Sequence, residues 1–285
     1  MKITLSILLS LCTLFAYSEV VSEEVSISDY TKLSVTGRCE VVYEQKTDQR
    51  AYLRIEVGQD FRKNINVSSQ SGQLSVSSNM GNTGVNFYNE EANVKIYTNS
   101  KNLAEVSVAG NSKVVLKGDM DVAGLKLSIS GSGLLITTDK LHVSNMNVYI
   151  KGNGLLQAAK LESPDLSLYI TGSGDIQIEE VSASRFSASV TGSGTVTAKN
   201  GAANITHLRV KGNGVISALN VKSENADTGI SGSGKIHAYA SGYLKARING
   251  SGHITYLGSP KQVDRTINGA GKIFPAELPS GTSSN

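Results

Sequence analysis

The chain has no tryptophan, only four prolines and two cysteines, few aromatic residues (6%), and charges that nearly cancel at +3 over 285 residues. Each shortage excludes something. A near-neutral balance leaves no electrostatic footprint for nucleic acid or for an anionic membrane surface. Of the two cysteines, Cys12 lies in a leader-like segment, so the exported chain keeps Cys39 alone and forms no intrachain disulfide. Core burial and backbone pairing must then supply the stability. What is abundant is glycine, 29 residues, together with Val, Ile, Thr and Ser, and this composition favours an all-β protein. Length alone permits one or two domains.

The first residues, "MKITLSILLSLCTLFAYS", combine basic Lys2, an apolar run from Ile3 to Phe15 and a small-residue end at Ala16-Tyr17-Ser18. That is the pattern of a secretory signal peptide, 1–18, cleaved after Ser18 and too short to span a membrane. Lipidation at Cys12 is disfavoured, because the residue before it is Leu11 rather than a small one. Loss of the leader removes Lys2 and leaves 26 basic and 24 acidic side chains, a net charge of +2. No other apolar run is long enough to cross a bilayer.

A phrase of the type "ITGSGDIQI" recurs along the chain. Its first glycine falls at Gly131, Gly152, Gly172, Gly192, Gly212, Gly232, Gly250 and Gly269, in steps of 21, 20, 20, 20, 20, 18 and 19. Degenerate copies stand at Gly110 and Gly37. A steady period near twenty marks a solenoid. Two residues before each glycine stand Ile129, Ile150, Ile170, Val190, Val210, Ile230, Ile248 and Ile267; four after stand Leu135, Leu156, Ile176, Val196, Ile216, Ile236, Ile254 and Ile273. Even offsets share one face of a strand, and the odd offsets are mostly polar. Both glycines of each pair are therefore expected to face inward at a tight corner, where a side chain would collide with neighbouring coils.

Each coil reads as strand, glycine corner, strand and a looser connection. Stacked coils pair as parallel strands about 4.8 Å apart. The predicted fold is a right-handed parallel β-helix. Residues 19–275 form a single β-helical domain, with irregular N-terminal coils over 19–104 and regular repeats over 105–275. Ser77–Glu91 reads as an exposed loop, and 276–285 as a disordered tail that begins in the "FPAELPSGTSSN" segment with Pro275 and Pro279. Cys39 occupies the slot of a second glycine and is expected to be a small buried thiol.

Chemistry-bearing motifs are scarce. A phosphate-cradling G-x-G needs a helix after the glycines, and here a strand follows each time. Asp175 suggests a calcium β-roll, but the same slot holds Leu134, Leu155, Thr195, Val215, Lys235 and His253, so no carboxylates stack into a metal cage. Asp165, Asp175, Glu179 and Glu180 are spread around one coil and read as solvated surface. His142, His207, His237 and His253 sit at different offsets and form no evident metal pair or catalytic set. The expectation is no enzyme, no cofactor and no metal. The one ordered polar surface is the outward ladder Ser132, Asn153, Ser173, Ser193, Asn213 and Ser233, a candidate face for a glycan or a protein partner.

The segments "YTKLSVTGRCEVVYEQ", "LRIEVGQD", "INVSSQSGQLSVSS" and "NVKIYTNSKNLAEVSVAGNSKVV", followed by repeated "ISGSG"-like phrases, resemble the family described as "putative auto-transporter adhesin, head GIN domain". The resemblance runs from about Tyr30 to Ile273. It implies a β-helical fold, export to the cell envelope (periplasm, outer-membrane surface or medium) and a role in adhesion, with no catalytic or ligand residues to carry over. Three functions compete: a non-catalytic adhesin or envelope-interaction module, a polysaccharide-processing β-helix enzyme, and a structural module whose open ends pair with a second copy to give a homo-oligomer.

Overall fold

The computed structural model describes residues 20–79 and 94–276. The expected leader with Cys12, most of the Ser77–Glu91 loop and the tail after Ala276 lie outside the described residues. Those described form an all-β solenoid of about nine turns with coils near 20 residues. A six-residue 3-10 segment, Gln59–Asn64, is their only helix.

The strand Leu134–Gly152 shows how a coil is made. Residues 134–137 pair in parallel with 155–158, residues 140–142 with 160–162, and residues 145–152 with 165–172. One turn of chain thus contributes to three sides: a post-corner sheet, a third sheet and a pre-corner sheet. The register holds through the stack, Gly131 pairing with Gly152 and so on through Gly172, Gly192, Gly212 and Gly232 to Gly250. The 21-residue coil fits against its 20-residue neighbour through a shift between Thr137 and Lys140. There the Asp139 carboxylate accepts from the Gly118 N–H (2.9 Å), and Asp119 accepts from the Lys140 N–H (3.0 Å).

Inward residues form ladders. Ile129, Ile150, Ile170, Val190, Val210, Ile230 and Ile248 are buried before the corner, and Leu135, Leu156, Ile176, Val196, Ile216, Ile236 and Ile254 after it. Leu141, Leu161, Val181 and Val221 fill the third side. Burial of each such side chain contributes on the order of 1.5–3 kcal/mol. Two interior polar rungs are satisfied by the next coil: Thr228 donates to the Lys245 carbonyl (3.2 Å), and Ser223 to the Tyr239 carbonyl (2.6 Å).

The corner glycines divide the work between them. Gly174 is buried, and a Cβ there would come within 2.5 Å of Ile150 Cγ2 and 2.7 Å of the Gly154 oxygen. Gly172 is only half-buried, with φ +123, and a Cβ on it would approach the Gly152 oxygen to 2.6 Å. Inward orientation therefore holds for the second glycine alone. Positive φ turns the missing side chain of the first along the stacking axis, at the backbone of the preceding coil.

The N-terminal part departs from simple winding. Gln73–Ser78 and Lys95–Ser100 stack on the outer side of Lys32–Gly37 and Glu40–Gln45, while Glu105–Gly110 and Lys113–Lys117 stack on the inner side. Antiparallel strands then close this end. Val20–Val25 pairs with Leu53–Gly58, which pairs with residues 95–98, and Ile65–Gln70 forms a hairpin with Gln73–Ser78. Buried tyrosines tie the cap together: Tyr30 Oη lies 2.8 Å from Thr98 Oγ1, and Tyr43 Oη 3.0 Å from Ser100 Oγ. At the other end Ile267, a ladder position, is 42% exposed because no described coil covers it.

Candidate binding face

Alternation in the pre-corner sheet sends every second side chain outward, and parallel register stacks equivalent ones at about 4.8 Å. Three residues before the corner glycine the column reads Ser128, Tyr149, Tyr169, Ser189, Arg209, Gly229, Arg247 and Thr266. The Tyr149 and Tyr169 rings stack with centroids 5.1 Å apart and planes at 10°. Tyr169 is 40% exposed, so a stacked aromatic pair stands at the surface of a face that also carries serines, threonines and basic side chains, with Ser189 the next residue in its column.

Three to four coils further on, Asp227 gathers two arginines. Arg209 donates through Nη2 to Asp227 Oδ2 (2.5 Å) and through Nη1 to the Asp227 and Leu208 carbonyls (2.7 and 3.0 Å). Arg247 Nη2 donates to Asp227 Oδ1 at 3.2 Å. Between the arginines lies Gly229, and without a side chain there the face sinks into a depression of about 390 Å3, bordered by Lys211, Asn249 and Thr266 among others.

The ladder read from the sequence, Ser132, Asn153, Ser173, Ser193, Asn213 and Ser233, is exposed throughout. Each of its backbone N–H groups donates to the glycine carbonyl of the preceding coil at 2.8–3.0 Å, so the ladder is a convex ridge along the corner, beside the flat face. The sequence reading missed the tyrosine and arginine columns. Their signal was available: all four side chains share the same offset from a corner glycine.

The remaining candidates disperse. Asp165 pairs with Arg185 (3.0 Å), Glu179 with Lys199 (2.6 Å) and Glu180 with Lys160 (2.7 Å), each a cross-coil surface ion pair. Asp175 stacks between Leu155 and Thr195. His142 Nδ1 lies 3.2 Å from Glu162, in a shallow depression of about 340 Å3 with Asp119 and Asp121. His207 lies 4.0 Å from Asp227, and His253 meets the Phe274 ring edge-on. His237 is half-buried, and desolvation followed by the Lys235 charge lowers its pKa. No group of three or more His, Cys, Asp or Glu side chains among the described residues is arranged to hold a metal ion. Cys39 is buried with Sγ 3.9 Å from Ser112 Oγ, and burial raises its pKa. No described helix is long and apolar enough to cross a membrane.

Solved structures share this fold. A "putative adhesin" from Parabacteroides merdae is 23% identical, with 91% of this chain and 97% of that one covered at a TM-score of 0.68. A "putative lipid binding protein" from Parabacteroides distasonis is 24% identical (90% and 97% covered, TM-score 0.65), and a "putative adhesin" from the same organism 22% (91% and 98%, TM-score 0.66). No curated protein sequence matches the chain. The family model described as "Putative auto-transporter adhesin, head GIN domain" matches residues 29–160 and 148–260, most of the solenoid, and the chain belongs to that family.

Proposed function

We propose that this chain is an exported, non-catalytic adhesin module that binds a glycan along the outward face of the pre-corner sheet. The observation that carries the reading is the exposed, parallel stack of Tyr149 on Tyr169 within a flat, hydroxyl-rich face. An aromatic face offers apolar contact to the C–H side of a sugar ring, while nearby hydroxyl and amide groups hydrogen-bond its rim. Membership in an adhesin-described family and the secretory grammar of residues 1–18 support export, to the periplasm, the outer-membrane surface or the medium. The dispersal of the carboxylates and histidines supports binding without turnover.

A glycan array probed with the protein tests this. Binding to a defined set of glycans that weakens about 3–10-fold in Tyr169→Ala, the size expected for one aromatic contact, supports it. A blank array together with saturable binding to an extracellular protein panel replaces the glycan by a protein partner. Release of shortened oligosaccharides during incubation overturns the non-catalytic reading.

A further inference from the structure

We propose that the depression over Gly229 is a subsite for an anionic group, a carboxylate or sulfate, carried by a sugar; this deepens the glycan reading above and rests on it. Gly229 is the starting point. It lies inside an extended strand, is not among the glycines with positive φ, and the three atoms nearest to a Cβ on it all belong to the flexible Arg209 side chain, at 3.2–3.7 Å. Neither backbone geometry nor core packing therefore demands glycine here, although an interior glycine weakens a strand. What its absent side chain creates is the gap between two in-register arginines. A glycine of that kind marks a place where another group approaches the backbone closely.

The charges around the gap are arranged for an anion. Arg209, Lys211 and Arg247 border it, Asp227 lies beside it, and no other carboxylate lines it, which leaves an excess of two positive charges. Asp227 holds both guanidinium groups in place, so little side-chain freedom remains to be lost on binding. Arg247 spends a single nitrogen on Asp227, and its other N–H groups stay available for a two-point contact with a carboxylate or sulfate. The side chains of Lys211, Asn249 and Asn268 have no hydrogen-bond partner among the described residues, and the two amides suit sugar hydroxyls. Tyr169, Ser189, Arg209 and Gly229 follow one another in register, so an oligosaccharide stacked on Tyr169 and running along the solenoid axis enters the depression at Ser189 and reaches Gly229 after about 14 Å.

The test is calorimetric titration of the full chain with three probes: oligogalacturonate, its neutral methyl ester, and a heparin-derived oligosaccharide. Expected is a preference of about tenfold or more for an acidic probe over the neutral one, with the first and third probes separating carboxylate from sulfate. Arg247→Gln, Lys211→Gln and Gly229→Val should each remove most of that preference with the melting temperature nearly unchanged. Tyr169→Ala should weaken acidic and neutral probes alike. Equal affinity for acidic and neutral probes, or an acid preference that survives all three depression variants, overturns the subsite while leaving glycan binding standing. Absence of binding to any of the three probes counts against the subsite and the glycan reading together.

Discussion

Gly174 lies directly against Ile150 of the preceding coil, so close that a Cβ on the glycine would stand 2.5 Å from Ile150 Cγ2. The inner corners from Gly133 to Gly271 rest on the same kind of contact, because an isoleucine or valine of the preceding coil occupies the space the glycine leaves empty. Gly174→Ala should destabilise by about 1–3 kcal/mol through overpacking, lowering Tm by several degrees. Gly172→Ala should also destabilise, through positive φ and the Gly152 oxygen. Exposed Ser173→Ala, between them, should stay within about 0.5 kcal/mol. Thermal denaturation of the three variants checks the order.

The ladders are cooperative only where a coil lies on either side. Ile170, 1% exposed, has such neighbours, and Ile170→Ala should cost about 2–5 kcal/mol. Ile267 holds the equivalent slot at 42% exposure, and Ile267→Ala should cost under about 1 kcal/mol. Equal losses in denaturant unfolding would show that the last rung is covered in solution.

His237 makes stability depend on pH. Desolvation, aided by Lys235, holds its folded pKa below the ordinary 6.5, so the unfolded chain binds the proton first as pH falls. Its contribution is complete above that value and is lost as pH drops through it toward the folded pKa. His237→Gln should flatten the fall in Tm between neutral and mildly acidic buffer, and an unchanged slope would remove the histidine from the account.

Cys39 should be chemically silent. The thiol is buried and burial raises its pKa, so little reactive thiolate exists near neutral pH. In a Cys12→Ser chain, an aromatic disulfide reagent should release about one equivalent of thiolate only after denaturant is added. Rapid release from the native protein would place Cys39 at the surface.

The corner glycines, the isoleucines two residues before them and the small thiol in a glycine slot were all legible as spacing, because a strand alternates inward and outward every residue. The tyrosine column was equally legible, since Tyr149 and Tyr169 stand at one offset from successive glycines, but an inward-looking pattern passes over outward residues. Less accessible were the direction of the first glycine's missing side chain, which depends on the sign of φ, and the N-terminal cap. In that cap, Gln73–Ser78 stacks outside Lys32–Gly37 instead of following it inward, a choice made by contacts across about forty residues.

A twenty-residue coil with a polar outside and an apolar inside follows from the order of residues alone, since that pattern is written residue by residue and each coil repeats it. Which outward groups meet was settled by the stacking of the coils. Asp227 reaches Arg209 and Arg247 because the coils stack in register, and the depression between them exists because Gly229 leaves its rung of the face empty.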